Sequence, residues 1–401
     1  MRPRRGMMGC TLIFVLSLWL IGFYLAGTVW SAPQVGQDKT YFDSGMANFN
    51  QGRFEEAIID FSRAINLNPQ NPAYYYRRGW AKERLDRLPE AMTDYTKALE
   101  LDPNYAVAYN NRALVKQKMK DYTGALADFN RALSFKASPQ NTSIFYGNRA
   151  ELKYLMRQYD DAYADVNLSI EANPDSALPY TIRGYMKLKR DNIEGAMADH
   201  NKALEINPKL AVAYNNRAQV KARTNELNGA MADYNKAIEL NSRLALAYGN
   251  RGRLKERMSD PQGAMLDYNK AIEINPRFSL AFSYRGYLKE KQSDLDGALR
   301  DYTQAISLDA KGAWIAYHNR GILQFKNNQL VLALKDFNQA ITMEPKHSDS
   351  FRNRGEIKMA LQDYPGALGD LNEAIALGPK NVKAYTARGE LKEKQGDMTG
   401  A

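Results

Sequence analysis

Arginine, lysine and aspartate recur along these 401 residues at fixed distances. Arginine stands at Arg78, Arg112, Arg149, Arg183, Arg217, Arg251, Arg285, Arg320, Arg354 and Arg388. Four residues later comes Lys82, Lys116, Lys153, Lys187, Lys221, Lys255, Lys289, Lys358 or Lys392, the Arg320 copy alone lacking it. An aspartate recurs at Asp60, Asp94, Asp128, Asp165, Asp199, Asp233, Asp267, Asp301, Asp336 and Asp370. A planar guanidinium can grip a carboxylate with two hydrogen bonds. A row of half-buried cations needs such a partner. The pattern predicts an Arg–Asp pair, inside a copy or between neighbouring copies, repeated as a ladder with a structural role ahead of a ligand-binding one.

A second set could bind a partner. Asparagine recurs at Asn111, Asn148, Asn216, Asn250, Asn319 and Asn353, two residues before a recurring small residue. Five after that small residue a base recurs: Arg84, Lys118, Lys189, Arg223, Arg257, Lys291, Lys326 and Lys394. Seven residues are two helical turns with a drift of about 20°, so both slots share one face, roughly opposite the Arg/Lys face. A carboxamide offers donor and acceptor to an extended backbone. Bases attract acidic side chains or a terminal carboxylate. Three readings compete: a solvated polar face, a specific peptide site, and an anionic-polymer site. Phe49, Trp80, Tyr154, Tyr185, Tyr287 and Phe325 on the same side are either anchors for a partner or packing against the next copy.

Catalytic signals are absent from the sequence. His200 occupies an aromatic core slot, His318 sits beside Asn319 where it could face a groove, and His347 follows Pro345 in a turn. No two are at metal-ligand spacing, and no GxxxxGK[ST], GxSxG or HExxH occurs. One cysteine, Cys10, rules out a disulfide framework. The sequence thus assigns no catalytic, metal or cofactor residue, and the chain is read as a non-enzyme.

The elements that position these residues follow from the period. The small residue is Gly45, Gly79, Ala113, Ala150, Gly184, Ala218, Gly252, Gly286, Gly321, Gly355 and Gly389, spaced by 34 apart from one 37 and one 35. The 37 holds a polar insertion around Ser138 to Thr142, and the 35 falls at the turn dipeptide Lys311-Gly312. In the copy at Gly252 an aromatic precedes (Tyr248), and Ala264, Ala271 and Pro276 follow. Each copy reads as two antiparallel helices. In the second, helix one covers about Pro72 to Arg87 and helix two about Pro89 to Leu101, with Asp102-Pro103 ending it. Met92, Tyr95, Leu99 and Leu101 recur as Met265, Tyr268, Ile272 and Ile274, an apolar stripe on helix two.

A 34-residue period with small–x11–Ala–x6–Ala–x4–Pro resembles the tetratricopeptide repeat family. The resemblance covers 38–401 as copies at 38–71, 72–105, 106–139, 143–176, 177–210, 211–244, 245–278, 279–312, 314–347 and 348–381, with a partial copy at 382–401. It implies an all-α, right-handed superhelical solenoid in which the exposed face of helix one lines a concave groove. The asparagine and base ladders are expected in that groove. Two slots depart from the family. Arginine stands where leucine is common before the small residue, and lysine where tyrosine is common three after it.

Residues 1–9 carry Arg2, Arg4 and Arg5, and 10–30 are uncharged and mostly apolar. As a helix that run spans about 31 Å, enough for a bilayer core. It reads as a transmembrane anchor, with a cleaved signal peptide as the alternative. The linker is 31–37. The arginines place the array outside the cytoplasm, periplasmic in a bacterium, or secreted if the signal is cut. The net charge of +10 is written into the repeat itself, so it is weak evidence for nucleic acid. Ala401 falls where the eleventh copy should begin its second helix; a partner covers that end, or sequence continues beyond it. The function expected is a membrane-tethered, non-catalytic scaffold binding an acidic or extended protein segment. The alternative is the regulatory or substrate-recruiting arm of an enzyme whose catalytic domain lies beyond Ala401.

Overall fold

The computed structural model describes residues 36–397. The segment expected as an anchor or signal, 10–30, lies outside them, as do 398–401. Among the described residues there are 21 helices and no strand, and no helix is long and apolar enough to cross a membrane. The chain forms two compact units that divide between Pro103 and Asn104.

The first unit holds α1 (Gln37–Asn50), α2 (Phe54–Leu67), α3 (Pro72–Arg84) and α4 (Leu88–Leu101). The second begins with α5 (Ala106–Lys118), α6 (Tyr122–Leu133), α7 (Pro139–Leu155), α8 (Tyr159–Ala172), α9 (Ala177–Lys189) and α10 (Ile193–Ile206). It continues through α11 (Ala211–Arg223), α12 (Leu227–Leu240), α13 (Ala245–Arg257), α14 (Pro261–Ile274), α15 (Ser279–Lys291) and α16 (Leu295–Leu308). It ends with α17 (Trp314–Lys326), α18 (Leu330–Met343), α19 (Ser348–Ala360), α20 (Tyr364–Leu377) and α21 (Val382–Lys394). Within each unit every odd helix pairs with the even helix after it, and every even helix packs on the next odd one. In the second unit α9, α11, α13, α15, α17, α19 and α21 also touch in succession, which makes the odd helices one continuous layer.

The core is an alanine-backed seam between hairpins. Ala264 and Tyr268 of α14 pack on Leu288 of the following α15, with Met265 and Tyr284 at the margin. The glycine slot lets the two helices of a hairpin close on a ring: a Cβ at Gly252 would stand 2.6 Å from Tyr268 Cε1. Such a carbon would force the ring to move.

Two features differ from the sequence expectation. Helix one of the second copy ends at Arg84, three residues short of Arg87, because Asp86 takes a left-handed conformation with φ 60°. The same position recurs in nine copies as a non-glycine residue with φ between 58° and 66°, Lys120, Asn225 and Ser259 among them. Gly52 and Gly396 hold it at φ 78° and 80°. The polar insertion near Ser138, expected between the copies at 106–139 and 143–176, is extra helix: Ser138 accepts from Asn141 N at 3.3 Å, Pro139 starts the helix, and α7 reaches 17 residues.

Candidate functional site

The charged ladder has one geometry in nine successive copies, from Arg78 on Asp94 to Arg354 on Asp370. At Arg251, Nε donates to Asp267 Oδ2 at 2.8 Å and Nη2 to Oδ1 at 2.7 Å. Lys255 Nζ stands 3.0 Å from the same carboxylate. The Tyr248 ring lies against the guanidinium, 5.4 Å from its carbon. The last nitrogen, Nη1, donates to Asn235 of the preceding hairpin at 2.8 Å. The carboxylate bond is therefore within a copy, and the amide bond runs between copies. Asp233, in the equivalent place, is buried, which raises its pKa, but hydrogen bonds from Arg217 and Lys221 outweigh that and hold it below the usual range. In the first copy Ser44 and Asn48 take the two ladder slots on Asp60, at 2.7 and 2.9 Å, and the cation there is Arg63 of the same helix as Asp60, at 3.3 Å.

The other face of the odd helices carries the asparagines and bases. Asn148 donates to Asn110 Oδ1 at 2.9 Å and Asn250 to Asn215 Oδ1 at 3.0 Å, bonds between neighbouring odd helices. Asn110 and Asn215 are buried and donate in turn to Asn111 and Asn216. Asn353 is buried, and its Nδ2 has no hydrogen-bond partner among the described residues. The bases reach back one hairpin. Arg223 Nη1 donates to Leu188 O at 2.9 Å, Arg257 Nη1 to Ala222 O at 2.6 Å, and Lys326 pairs with Glu290 at 3.0 Å. Lys291 lies over the Tyr287 ring at 4.6 Å. Lys118 ends α5, exposed.

Hollows open along this face of the second unit. One of about 320 Å³ gathers Lys189, Arg223, Asn250 and Arg257 with Arg253 and Tyr234. The next, about 510 Å³, holds Arg257, Lys291 and Asn319 with Glu256, Tyr287 and Trp314. Two others, of about 530 and 330 Å³, share Tyr154 and Tyr185, the second including Asn216. Burial raises the Tyr154 phenol to about 12. Of the remaining aromatics, Phe49 packs on Trp80 at 4.5 Å between centroids, and Phe325 packs on the cluster around Phe337. Arg253 went unnoticed in the sequence because its slot does not repeat, and Tyr234 because its recurring aromatic slot reads as core.

The histidines offer no exposed reactive group. His200 is fully buried beside Gly184, with neither ring nitrogen partnered among the described residues, and burial lowers its pKa to about 4. His318, expected to face a groove, does line the hollow that holds Asn319, but it is only 8% exposed and T-stacked on Phe337 and His347, and burial lowers it to about 3. His318 Nδ1 and His347 Nδ1 both bond Ser350 Oγ at 2.8 Å, but that hydroxyl has no exposure. No cluster of metal-ligating residues occurs among the described residues.

Models of the tetratricopeptide repeat match this sequence over most of its length. One described as a TPR repeat covers 45–86 and 84–120. Two described as tetratricopeptide repeat cover 106–139, 211–243 and 245–278, and 285–348 and 352–401. The chain belongs to the tetratricopeptide repeat family. No curated protein matches it in sequence. In fold, this tetratricopeptide repeat protein is similar to the APC/C hetero-tetramer Cut9–Hcn1, at 14% identity over 89% of this chain and 90% of that chain, TM-score 0.56. It is also similar to a tetratricopeptide repeat protein from Parabacteroides merdae ATCC 43184, at 23% identity over 63% and 99%, TM-score 0.51. Yeast Tom70 aligns at 18% identity over 91% and 90%, with TM-score 0.47. Within the family frame, the arginine and lysine that replace leucine and tyrosine are the two cations on eight ladder aspartates, Asp336 having the arginine alone.

Proposed function

We propose that this tetratricopeptide repeat protein is a non-catalytic scaffold that binds an extended, acidic segment of a partner protein along the odd-helix face of its second unit. One observation carries the reading: the hollow is lined by Lys189, Arg223, Arg253 and Arg257 and by no carboxylate, and of the four cations Arg223 alone is ion-paired among the described residues, with Asp191 beside the hollow at 2.8 Å. Asn250 stands among them with the donor and acceptor that an extended backbone requires. Charge of one sign in a concave site favours an acidic ligand and speeds its arrival. Panning the protein against a random twelve-residue peptide library tests this. Enrichment of aspartate- and glutamate-bearing peptides is expected, and its loss when Asn216, Asn250 and Arg257 are all changed to alanine with helix content intact. An unbiased pool, or an enrichment indifferent to the triple change, sinks the proposal.

We further propose that residues 10–30 tether the array to a membrane with the repeats outside the cytoplasm, which the upstream Arg2, Arg4 and Arg5 support. A reporter enzyme active only outside the cytoplasm, fused after Ala401, should be active; a silent reporter would reverse the topology.

A further inference from the structure

In three copies a tyrosine of the even helix donates to a glutamate of its odd partner: Tyr95 to Glu83 at 3.0 Å, Tyr302 to Glu290 at 3.1 Å, and Tyr268 to Glu256. A base of the following odd helix completes the group where Lys326 Nζ meets Glu290 at 3.0 Å. The sixth copy has the tyrosine, Tyr234, and the base, Arg257, but the glutamate slot is Ala222. Tyr234 is 2% exposed, lines the cationic hollow, and its hydroxyl donates to no group among the described residues. Arg257, lacking a carboxylate, donates to the Ala222 carbonyl. The ring is buried but the hydroxyl is not among the fully buried unpartnered atoms, so it is free to donate into the hollow, where two cations beside it favour an acceptor with negative charge.

We infer that this hollow takes the carboxylate of a glutamate side chain from an extended partner segment, seated where the next two copies carry Glu256 and Glu290. The inference rests on the proposed binding face and assigns one subsite within it. The copies themselves supply the template. Tyrosine hydroxyl and glutamate carboxylate meet inside the seventh and eighth hairpins without help, with a base of the next hairpin added at Glu290, whereas in the sixth a ligand must bring the acid.

The test uses fluorescein-labelled, C-terminally amidated hexaglutamate and fluorescence anisotropy on the full chain. Ala222→Glu restores an internal carboxylate; it should weaken binding at least tenfold and raise the melting temperature. Tyr234→Phe should weaken binding several-fold at an unchanged melting temperature. Gln262→Glu, which adds the same charge at an exposed site on α14, should leave affinity within twofold. Amidated hexaglutamine should bind at least tenfold more weakly than hexaglutamate. The subsite is overturned if wild type and Ala222→Glu bind alike, or if wild type does not bind hexaglutamate. It is also overturned if hexaglutamine with a free terminal carboxylate binds as tightly as amidated hexaglutamate. Peptide-library enrichment that survives any of these results leaves the wider face standing while this subsite falls.

Discussion

Changing Asp267 to alanine should unfasten one rung of the ladder and nothing else. Its carboxylate receives Arg251 Nε and Nη2 at 2.8 and 2.7 Å and Lys255 at 3.0 Å. Asp267 is 4% exposed, so its removal leaves two cations facing a site from which water is largely excluded. Breaking a fully buried pair costs about 3–5 kcal/mol. The Arg251 and Lys255 side chains keep 18% and 20% exposure, which lets water recover part of that. The expected loss is about 2–4 kcal/mol. Lys270 and Glu273 supply the control, a 2.6 Å pair at 44% and 67% exposure. Glu273→Ala should leave the protection of the hairpin essentially unchanged, as loss of an exposed pair does. Native-state hydrogen exchange reads the effect where it arises, because in a repeat array stability is local to a hairpin and its neighbours. Amides of α13 and α14 should lose protection in Asp267→Ala, while those of α19 and α20 should not change. Protection in α13 and α14 within about 0.5 kcal/mol of wild type would refute the structural role of the ladder.

His200→Phe should make the fifth hairpin indifferent to mild acid. The buried imidazole has its pKa lowered from 6.5 to about 4, so the unfolded chain binds the proton first as pH falls. The stability is fully present above pH 6.5 and lost on the way down through 4, a span of roughly 3 kcal/mol at about 1.4 per unit. Exchange of α10 amides at pH 7 and pH 5 should separate in wild type and coincide in the variant. Lys120→Gly, at φ 65°, should raise the melting temperature by relieving a left-handed β-carbon, worth about 0.5–1 kcal/mol; a lower melting temperature would contradict it. Asn235→Ala removes the Arg251 Nη1 bond between hairpins and should cost about 1 kcal/mol, read as lost protection at the α12–α13 boundary with the Asp267 rung intact. Loss confined to α14 would contradict that division.

Hairpins, period and rungs were legible because each is written many times. A guanidinium at Arg78 says little, but nine at one register with an aspartate sixteen residues on define a pair. Whether that pair closed within a copy or across copies was not legible, since both distances fit a 34-residue unit. The structure divides the guanidinium: Nε and Nη2 stay inside, and Nη1 crosses to Asn235. The left-handed residues escaped notice because Asp86, Lys120 and Arg157 share no side-chain chemistry, only backbone geometry. Periodicity brought Lys189, Arg223, Asn250 and Arg257 to one face, and the structure gathers them in one hollow. It also shows Lys326 engaged by Glu290 and Asn353 buried, which spacing alone does not separate from their exposed counterparts. Tyr234 passed for a core residue because its slot recurs, and Ala222 was invisible to a search for what recurs, because its signal is a slot that breaks the pattern.

The crossing arm of each arginine has a bearing on how such a chain can change length. It asks only that the hairpin upstream end in the usual way, with a carboxamide or hydroxyl at one place: Asn167, Asn201, Asn235, Asn269 and Asn338 are interchangeable there, and Ser62 and Thr303 serve too. Duplicating or excising a whole 34-residue unit would leave every such junction supplied on both sides. The arginine junctions thus survive lengthening or shortening of the array by recombination, and the sixth unit, which keeps the tyrosine but lacks the acid, would carry the proposed subsite to a new place along the row.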